Sequence, residues 1–214
     1  MAVDVIRATT TAITAVARGH RVFVIPSIER AVPLAARLHR PLLVGELGGS
    51  QPYGFDLQNS PVAITREQDT SRPVILLSTS GTRLMTAAAA AGAAYAACLR
   101  NVSSQVEVIA ESHGHVRLVG ADSRGEFREE DQLCCARIGG ALVKRGFEPV
   151  DDLTADVLGR WATAPDDAFL GGRSARYLED TGQTHDLEFV LDHVDDLDAV
   201  FPITDGELGM RGLA

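Results

Sequence analysis

The chain has 214 residues, 45% of them hydrophobic, which is enough to bury the core of one large domain or two small ones. A formal net charge of −9 without any run of Lys and Arg argues against nucleic-acid binding, because neutralising phosphates needs clustered positive charge. The sequence has neither a signal-peptide pattern nor an apolar stretch of membrane-spanning length, and its three cysteines form no spaced framework. We therefore expect a cytoplasmic protein without a membrane or nucleic-acid partner.

Short apolar runs alternate with helical patterns along the chain up to about residue 150. This alternation predicts an α/β fold, a three-layer sandwich with a mainly parallel or mixed sheet, in which ligands bind beyond the carboxyl ends of the strands. Strands are predicted at residues 22–25, 42–44, 74–77 and 116–119. Helices are predicted at residues 10–17, 28–38, 82–91, 102–111 and 130–144.

The two ends of the sequence differ from this pattern. Residues 3–6 have the character of the end of a central strand, so we expect the N-terminal strand to be truncated, either by a misassigned start or by loss of preceding residues. Residues 151–214 are richer in acid and helical in pattern, with 166–178 as the clearest amphipathic stretch and 200–203 as a last strand. We predict a single α/β domain over residues 1–214, in which 151–214 is a C-terminal helical extension or cap.

Three glycine- and hydroxyl-rich turns beside apolar runs are typical of phosphate binding: DVIRATTT (4–11), GGSQPYGFDLQNSP (48–61) and LSTSGTR (77–83). In the third turn, hydroxyls, backbone N–H groups and a guanidinium would lie at a helix N-terminus, where partial positive charge favours an anion. In the second, paired glycines permit close backbone approach, although an Asx turn alone would explain its Asn. We expect the turns to converge and to bind substrate through Gly48, Gly49, Asn59, Ser80, Gly81, Thr82 and Arg83.

The first turn carries the candidate catalytic residues Asp4 and Arg7. Asp4 would lie beside the phosphate, where a carboxylate repels substrate unless a divalent cation lies between them; this makes it a candidate metal ligand, with a helix N-cap as the alternative. Arg7 is the candidate phosphate clamp, since a guanidinium forms bidentate bonds with phosphate, and a surface arginine paired with an acid is the alternative. Thr9 and Thr10 can bind substrate, cap the helix, or do both.

These turns, together with GADSRGEFREEDQLCCARI (120–138) and DLEF (186–189), resemble the 2-phosphosulfolactate phosphatase family and occur in that family's order. The resemblance extends from residue 2 to about residue 202. It implies an α/β enzyme that uses Mg²⁺ to hydrolyse a small anionic phosphate ester. The family is named for the conversion of 2-phosphosulfolactate to sulfolactate and phosphate in coenzyme M synthesis.

Glu130 and Asp131 show how the resemblance adds to the residue pattern. Acids in the first turn of a helix are ordinarily caps or complements of the helix dipole, which is the stronger interpretation from the pattern alone. The resemblance instead makes Asp131 a second metal ligand, or the catalytic acid that orients water, and makes Glu130 a weaker alternative ligand.

The sequence lacks the signatures of phosphatases with a histidine, aspartate or cysteine nucleophile, and it has no nucleotide-binding P-loop. Attack by a metal-activated water is the economical mechanism that remains, with Mg²⁺ holding phosphate oxygens, Arg7 and Arg83 stabilising charge, and an acid such as Asp131 orienting the water. The resemblance implies that Asp4, Glu130 and Asp131 supply the ligands of this Mg²⁺. Two alternatives stay open: a noncatalytic phosphometabolite-binding protein and a lyase acting on a phosphorylated hydroxy acid. An acidic, Ala-rich enzyme of this size is also consistent with a homodimer.

Overall fold

Strands and helices alternate through the computed structural model, which describes residues 1–122 and 125–213. Ser123 and Arg124, which belong to the predicted motif at 120–138, lie outside the described residues. The strands are β1 (Ala2–Val3), β2 (Val22–Ile25), β3 (Leu42–Gly45), β4 (Val74–Leu77), β5 (Tyr95–Ala97), β6 (Val119–Gly120), β7 (Ala199–Thr204), β8 (Glu207–Leu208) and β9 (Arg211–Gly212). The α-helices are α1 (Ala8–Ala17), α2 (Ala31–Ala35), α3 (Pro61–Arg66), α4 (Gly81–Ala90), α5 (Val102–Ser112), α6 (Glu129–Val143), α7 (Asp152–Trp161), α8 (Arg173–Asp180) and α9 (Thr184–Asp192).

The strands form one mixed sheet in the order β3-β4-β2-β8-β7-β5-β1-β6, and β9 pairs with β7. The triplet β3, β4 and β2 is parallel within itself, as is the triplet β5, β1 and β6. The antiparallel hairpin of β7 and β8 lies between the triplets and pairs with β5 on one side and β2 on the other. The sheet therefore consists of two parallel halves joined by a hairpin.

Helices cover both faces of this sheet. Because successive residues of a strand point to opposite faces, neighbouring strand residues pack into different cores. Ala2 of β1 enters a core that contains α1 and α4, while its neighbour Val3 enters a second core that contains α5 and α6. The predicted three-layer α/β sandwich with a mixed sheet is confirmed.

The predicted elements agree with the structure where the sequence pattern is strongest, at β2, β3, β4, α1, α4, α5 and α6. The helix predicted at 28–38 is wrong in extent, since a 3₁₀ turn at Ile28–Arg30 precedes α2 and the chain after Ala35 again forms tight turns. The strand predicted at 116–119 is shorter and lies at β6. The sequence analysis missed several elements, among them β5, which lies in an alanine-rich run at residues 87–97, and α3, which begins at the end of the glycine-rich turn.

The segment 151–214 has the predicted helical character in α7, α8 and α9, and it also supplies β7 and β8 to the middle of the sheet. The helix predicted at 166–178 begins only at Arg173, because the preceding N–H groups bond three residues back, as in Leu170 N to Asp167 O and Gly172 N to Phe169 O. No helix within the described residues is both long enough and apolar enough to cross a membrane.

α1 is buried along almost its whole length although it contains four threonines. Their hydroxyls are largely satisfied by main-chain carbonyls: Thr10 Oγ1 donates to Val5 O (2.7 Å) and Thr14 Oγ1 donates to Thr10 O (2.7 Å). These bonds allow a polar helix to pack within the apolar core. They also fix the turn after β1, from which the candidate catalytic side chains extend.

Candidate active site

The turns that follow β1, β3, β4 and β6 meet around a cavity of about 360 Å³, which is closed on one side by α8. The three turns predicted to bind phosphate therefore converge, as expected. The cavity is lined by four carboxylates and three guanidinium groups: Asp4, Glu46, Asp122, Asp131, Arg7, Arg128 and Arg173. Such a mixture suits the joint binding of a cation and a multiply charged anion.

Asp4 directly follows β1 and is buried at the floor of the cavity. Its Oδ1 accepts a hydrogen bond from Ala8 N (3.1 Å) in the first turn of α1. Burial raises the pKa of Asp4 to about 6; Glu46 adds to this shift, while the Ala8 N–H and the Arg7 guanidinium oppose it. A buried carboxylate with a perturbed pKa in a cleft is typical of a functional site.

Asp131 reaches the same floor from the first turn of α6. Its Oδ1 accepts a hydrogen bond from Val5 N (2.7 Å), which ties α6 to the turn after β1. Burial raises the pKa of Asp131 well above its usual range, and the carboxylates of Asp4 and Glu130 act in the same direction. Asp4 and Asp131 thus form a pair of close, buried acids whose negative charges repel each other.

Glu130 is buried beside this pair, but it is not one of the residues that line the cavity. Neither of its carboxylate oxygens has a hydrogen-bond partner among the described residues. Burial raises the pKa of Glu130 to about 7, and Asp4 and Glu129 add to the shift, while Ser174 opposes it. The structure therefore brings two of the three predicted metal ligands to the cavity surface.

Two glycines make room for the acid pair. A Cβ on Gly81 would lie 2.1 Å from Asp4 Oδ2, and a Cβ on Gly120 would lie 2.9 Å from Asp131 Cβ. Both distances are shorter than non-bonded contacts allow, so a side chain at either position would displace the neighbouring acid. The glycine of the STSGTR turn accordingly accommodates a carboxylate.

Arg7 is buried, lines the cavity and belongs to a cis peptide bond with Ile6. Its Nη1 donates to Asp186 Oδ2 and to Gln183 Oε1, both at 2.6 Å. Arg7 thus pairs with an acid, as the alternative interpretation expected, but it is buried rather than at the surface. Its role as a phosphate clamp stays a prediction, and its place at the cavity is consistent with that role.

The glycine-rich turn uses its backbone N–H groups internally. Gly48 N donates to Thr79 Oγ1 (2.8 Å), and Gly49 N donates to Glu46 Oε2 (2.8 Å). Glu46 also accepts from Thr79 N (2.6 Å), while the Tyr177 hydroxyl donates to Gly49 O (2.9 Å). Gly48 and Gly49 line the cavity, but these bonds make them a support for its wall rather than free donors for an anion.

The remaining predicted substrate residues fall into two groups. Ser80 and Asn59 line the cavity, and the Asn59 amide oxygen is buried without a hydrogen-bond partner among the residues that the structure describes. Thr82 bonds to Ser78 in both directions, and Arg83 is exposed, with Nε donating to Pro26 O (3.3 Å).

Thr9 and Thr10 are buried supports of the first turn. Thr9 Oγ1 donates to Asp4 O (2.8 Å) and accepts from Asp4 N (3.0 Å), which fixes the backbone of the candidate ligand. The hydroxyls of Thr9, Thr10 and Thr82 are thus occupied by main-chain groups, and neither these threonines nor Arg83 line the cavity.

Known proteins resemble this chain over most of its length. The family model described as 2-phosphosulpholactate phosphatase matches residues 1–206. The chain belongs to this phosphatase family. A protein of Caldanaerobacter subterraneus subsp. tengcongensis, named probable 2-phosphosulfolactate phosphatase, is 30% identical over 210 residues, which cover 95% of this chain and 87% of that protein.

Two further relatives carry the same name. The protein of Synechococcus sp. (strain CC9605) is 32% identical over 199 residues, covering 87% of this chain and 81% of the relative. The protein of Pseudothermotoga lettingae is 38% identical over 152 residues, which cover 71% of this chain but only 62% of the relative's length. The likeness thus extends over most of the chain and includes the turns that form the cavity.

The sequence analysis did not predict several of the residues that line the cavity. Glu46 directly follows a buried strand, as Asp4 does, and this shared position was the available signal. Arg128, Arg173 and Tyr177 carry no comparable local signal, because tertiary packing alone brings them to the cavity.

The described residues contain no cluster of three or more His, Cys, Asp or Glu side chains arranged to hold a metal ion. Mg²⁺, however, commonly takes only one or two carboxylates and fills its other positions with water and substrate phosphate. Asp4 and Asp131 supply two carboxylates at one cavity, and the unpartnered carboxylate of Glu130 adds negative charge close by. These residues therefore fit a site for Mg²⁺.

Proposed function

We propose that this chain is a Mg²⁺-dependent phosphatase that hydrolyses 2-phosphosulfolactate to sulfolactate and inorganic phosphate. The observation that carries the proposal is the pair of buried acids, Asp4 and Asp131, at the floor of a cavity that also contains the Arg7 guanidinium. Membership in the 2-phosphosulfolactate phosphatase family supports the choice of substrate.

In the proposed mechanism, the two carboxylates bind the cation and the Arg7 guanidinium binds the phosphate. When bound by Asp4 and Asp131, Mg²⁺ would neutralise phosphate oxygens and favour deprotonation of a water nucleophile. Arg7 would hold the phosphoryl oxygens, and its fixed positive charge would stabilise the additional charge of the transition state. The water adds to phosphorus, the bond from phosphorus to the ester oxygen breaks, and the alcohol leaves with a proton.

Arg128 and Arg173 lie at the same cavity and suit the rest of this substrate. Phosphosulfolactate carries a carboxylate and a sulfonate in addition to its phosphate, and guanidinium groups are suited to bind both. Arg173 also forms an ion pair with Glu126. The same arrangement is unfavourable for a protein that only binds an anion, since buried acids at the floor would repel the ligand without a cation between them.

Phosphate release in the presence of Mg²⁺ or excess chelator tests the proposed activity. We expect release with Mg²⁺ and none after removal of divalent metal, and persistent full activity without metal would contradict the proposal. In ¹⁸O-labelled water, hydrolysis at phosphorus places the label in phosphate. A lyase reaction would instead leave phosphate unlabelled and yield an unsaturated acid.

Asp4→Asn and Asp131→Asn test the acid pair directly. We expect each to lower kcat by at least about 10²-fold with the fold retained, since each neutralises a carboxylate proposed to hold the cation. Asp151→Asn is the matched control, because Asp151 is an exposed N-cap of α7 that accepts from Thr154 N (2.8 Å). Wild-type kcat in either floor variant would show that its carboxylate has only a structural role.

A further inference from the structure

Asp186 on α9 is a fully buried carboxylate that the proposed hydrolysis does not use directly. Its Oδ2 accepts from Arg7 Nη1 (2.6 Å), and its Oδ1 accepts from Ser60 Oγ (2.6 Å) and Val62 N (3.3 Å). These contacts join three segments that are far apart in the chain: the turn after β1, the start of α3 and the start of α9. Burying a carboxylate is unfavourable unless such donors satisfy it.

The contacts of Asp186 fix one edge of the Arg7 guanidinium. Arg7 Nη1 has two hydrogens, and its two acceptors are Asp186 Oδ2 and Gln183 Oε1. Within residues 1–122 and 125–213, Arg7 Nε and Nη2 make no hydrogen bond, and Arg7 lines the cavity. The guanidinium is thus bound through Nη1, and its Nε and Nη2 N–H groups remain for a ligand.

Asp186 also gives Arg7 a partner other than the acids of the floor. Arg7 and Asp4 line the same cavity and carry opposite charges, so the two groups attract each other. Without Asp186, the buried guanidinium would have only the carboxylates of the cavity to compensate its charge, and these include Asp4, which is proposed to hold the cation. An arginine that paired with Asp4 would weaken both the phosphate grip and the cation site.

We infer that Asp186 is a positioning residue that holds the Arg7 guanidinium in place for a phosphoryl group and keeps it away from Asp4. Gln183 assists through the second hydrogen bond to Nη1. This inference rests on the proposed function for its effect on turnover, but the grip on an anion can be measured without turnover.

A double-mutant cycle tests the inference. Asp186→Asn keeps the size of the side chain and removes its charge, and Gln183→Ala removes the half-buried second acceptor with less risk to folding. We expect Asp186→Asn to lower kcat/KM by about 10- to 100-fold, the effect of losing a hydrogen bond between charged groups, and Gln183→Ala to have a smaller effect in the same direction. In the Arg7→Ala background, neither change should reduce kcat/KM further.

Asp196→Asn is the matched control, because Asp196 pairs with Arg100 at the same distance of 2.6 Å and neither residue lines the cavity. It should change thermal stability without changing kcat/KM of the folded enzyme. Affinity for inorganic phosphate, measured by calorimetry on the same variants, supplies a readout that does not need turnover. Asp186→Asn and Gln183→Ala should weaken it when Arg7 is present and leave it unchanged in Arg7→Ala.

The outcomes separate this inference from the proposed function. If the wild type binds phosphate through Arg7 and Asp186 but releases none from the ester, the proposed function fails and the positioning role stands. Additive losses of affinity or kcat/KM in the Arg7→Ala background would overturn the positioning role. Wild-type affinity and kcat/KM in folded Asp186→Asn would overturn it as well.

Discussion

Gly81→Ala should inactivate the enzyme through a single methyl group. The new Cβ would lie 2.1 Å from Asp4 Oδ2 and 2.6 Å from Ala8 Cβ, whereas real Cβ contacts are essentially never shorter than 3.0 Å. Asp4 Oδ2 must therefore move by about 1 Å, and α1 must shift relative to α4. A displacement of this size in a catalytic group costs on the order of 10²-fold in rate.

Two opposing effects determine the stability of this variant. Gly81 is the first residue of α4, where alanine reduces the entropy of the unfolded chain and favours folding by up to about 1 kcal/mol. Overpacking a tight interior costs about 1–3 kcal/mol. We expect a net loss of stability of about 1 kcal/mol, so the protein should fold while kcat falls by about 10²-fold.

Gly159→Ala provides the control, since Gly159 is exposed within α7 and a Cβ there would meet no atom within 4 Å. This control should gain up to about 1 kcal/mol and keep its kcat. Thermal unfolding and phosphate release would be measured for both variants with Mg²⁺ present. If Gly81→Ala became as stable and as active as Gly159→Ala, the proposed role of the Asp4 position would be refuted.

Two further predictions follow from the charges at the floor. Because the pKa values of Asp4 and Glu130 are raised to about 6 and about 7 in the fold, the metal-free protein should be most stable below pH 4 to 5 with respect to these groups and lose that stability as pH rises towards 7. For Asp4 the loss is on the order of 3 kcal/mol, and denaturant titrations should find a weaker pH dependence in Asp4→Asn. Arg7→Lys should lower kcat/KM by about 10²-fold, since lysine keeps the charge but cannot form the fork. Arg83→Lys should leave steady-state kcat and KM unchanged, because Arg83 is exposed outside the cavity; a raised KM would instead support the original prediction that it binds substrate.

The parts that the sequence predicted well are those that depend on local chemistry. β2, β3 and β4 are short buried apolar runs, and the polar turns after β3 and β4 marked the cavity wall. β5 was hidden because its residues Tyr95–Ala97 extend an alanine-rich run. Small residues recur there because β5 packs closely against α1, and a strand built from alanine has no strong β propensity.

The contacts that complete the site could not be predicted in the same way, because they join residues far apart in the chain. Asp186 and Ser60 are 126 residues apart, and Tyr177 and Gly49 are 128 residues apart. Arg83 shows how a local pattern can mislead. Its position beside a helix N-terminus predicted anion binding, but in the structure it donates to Pro26 O. Local patterns thus identified the turns, and tertiary packing decided which of their side chains reach the cavity.

The hairpin of β7 and β8 has a consequence for how the chain matures on the ribosome. Val22 pairs with Leu208 and Ala96 pairs with Phe201, so the two parallel halves cannot join until about 200 residues have been synthesised. Until then, β2 and β5 each present an unpaired edge to solvent, and closing such distant contacts is slow. Nascent chains should therefore depend on chaperones during translation, and expression at low temperature should raise the yield of folded enzyme.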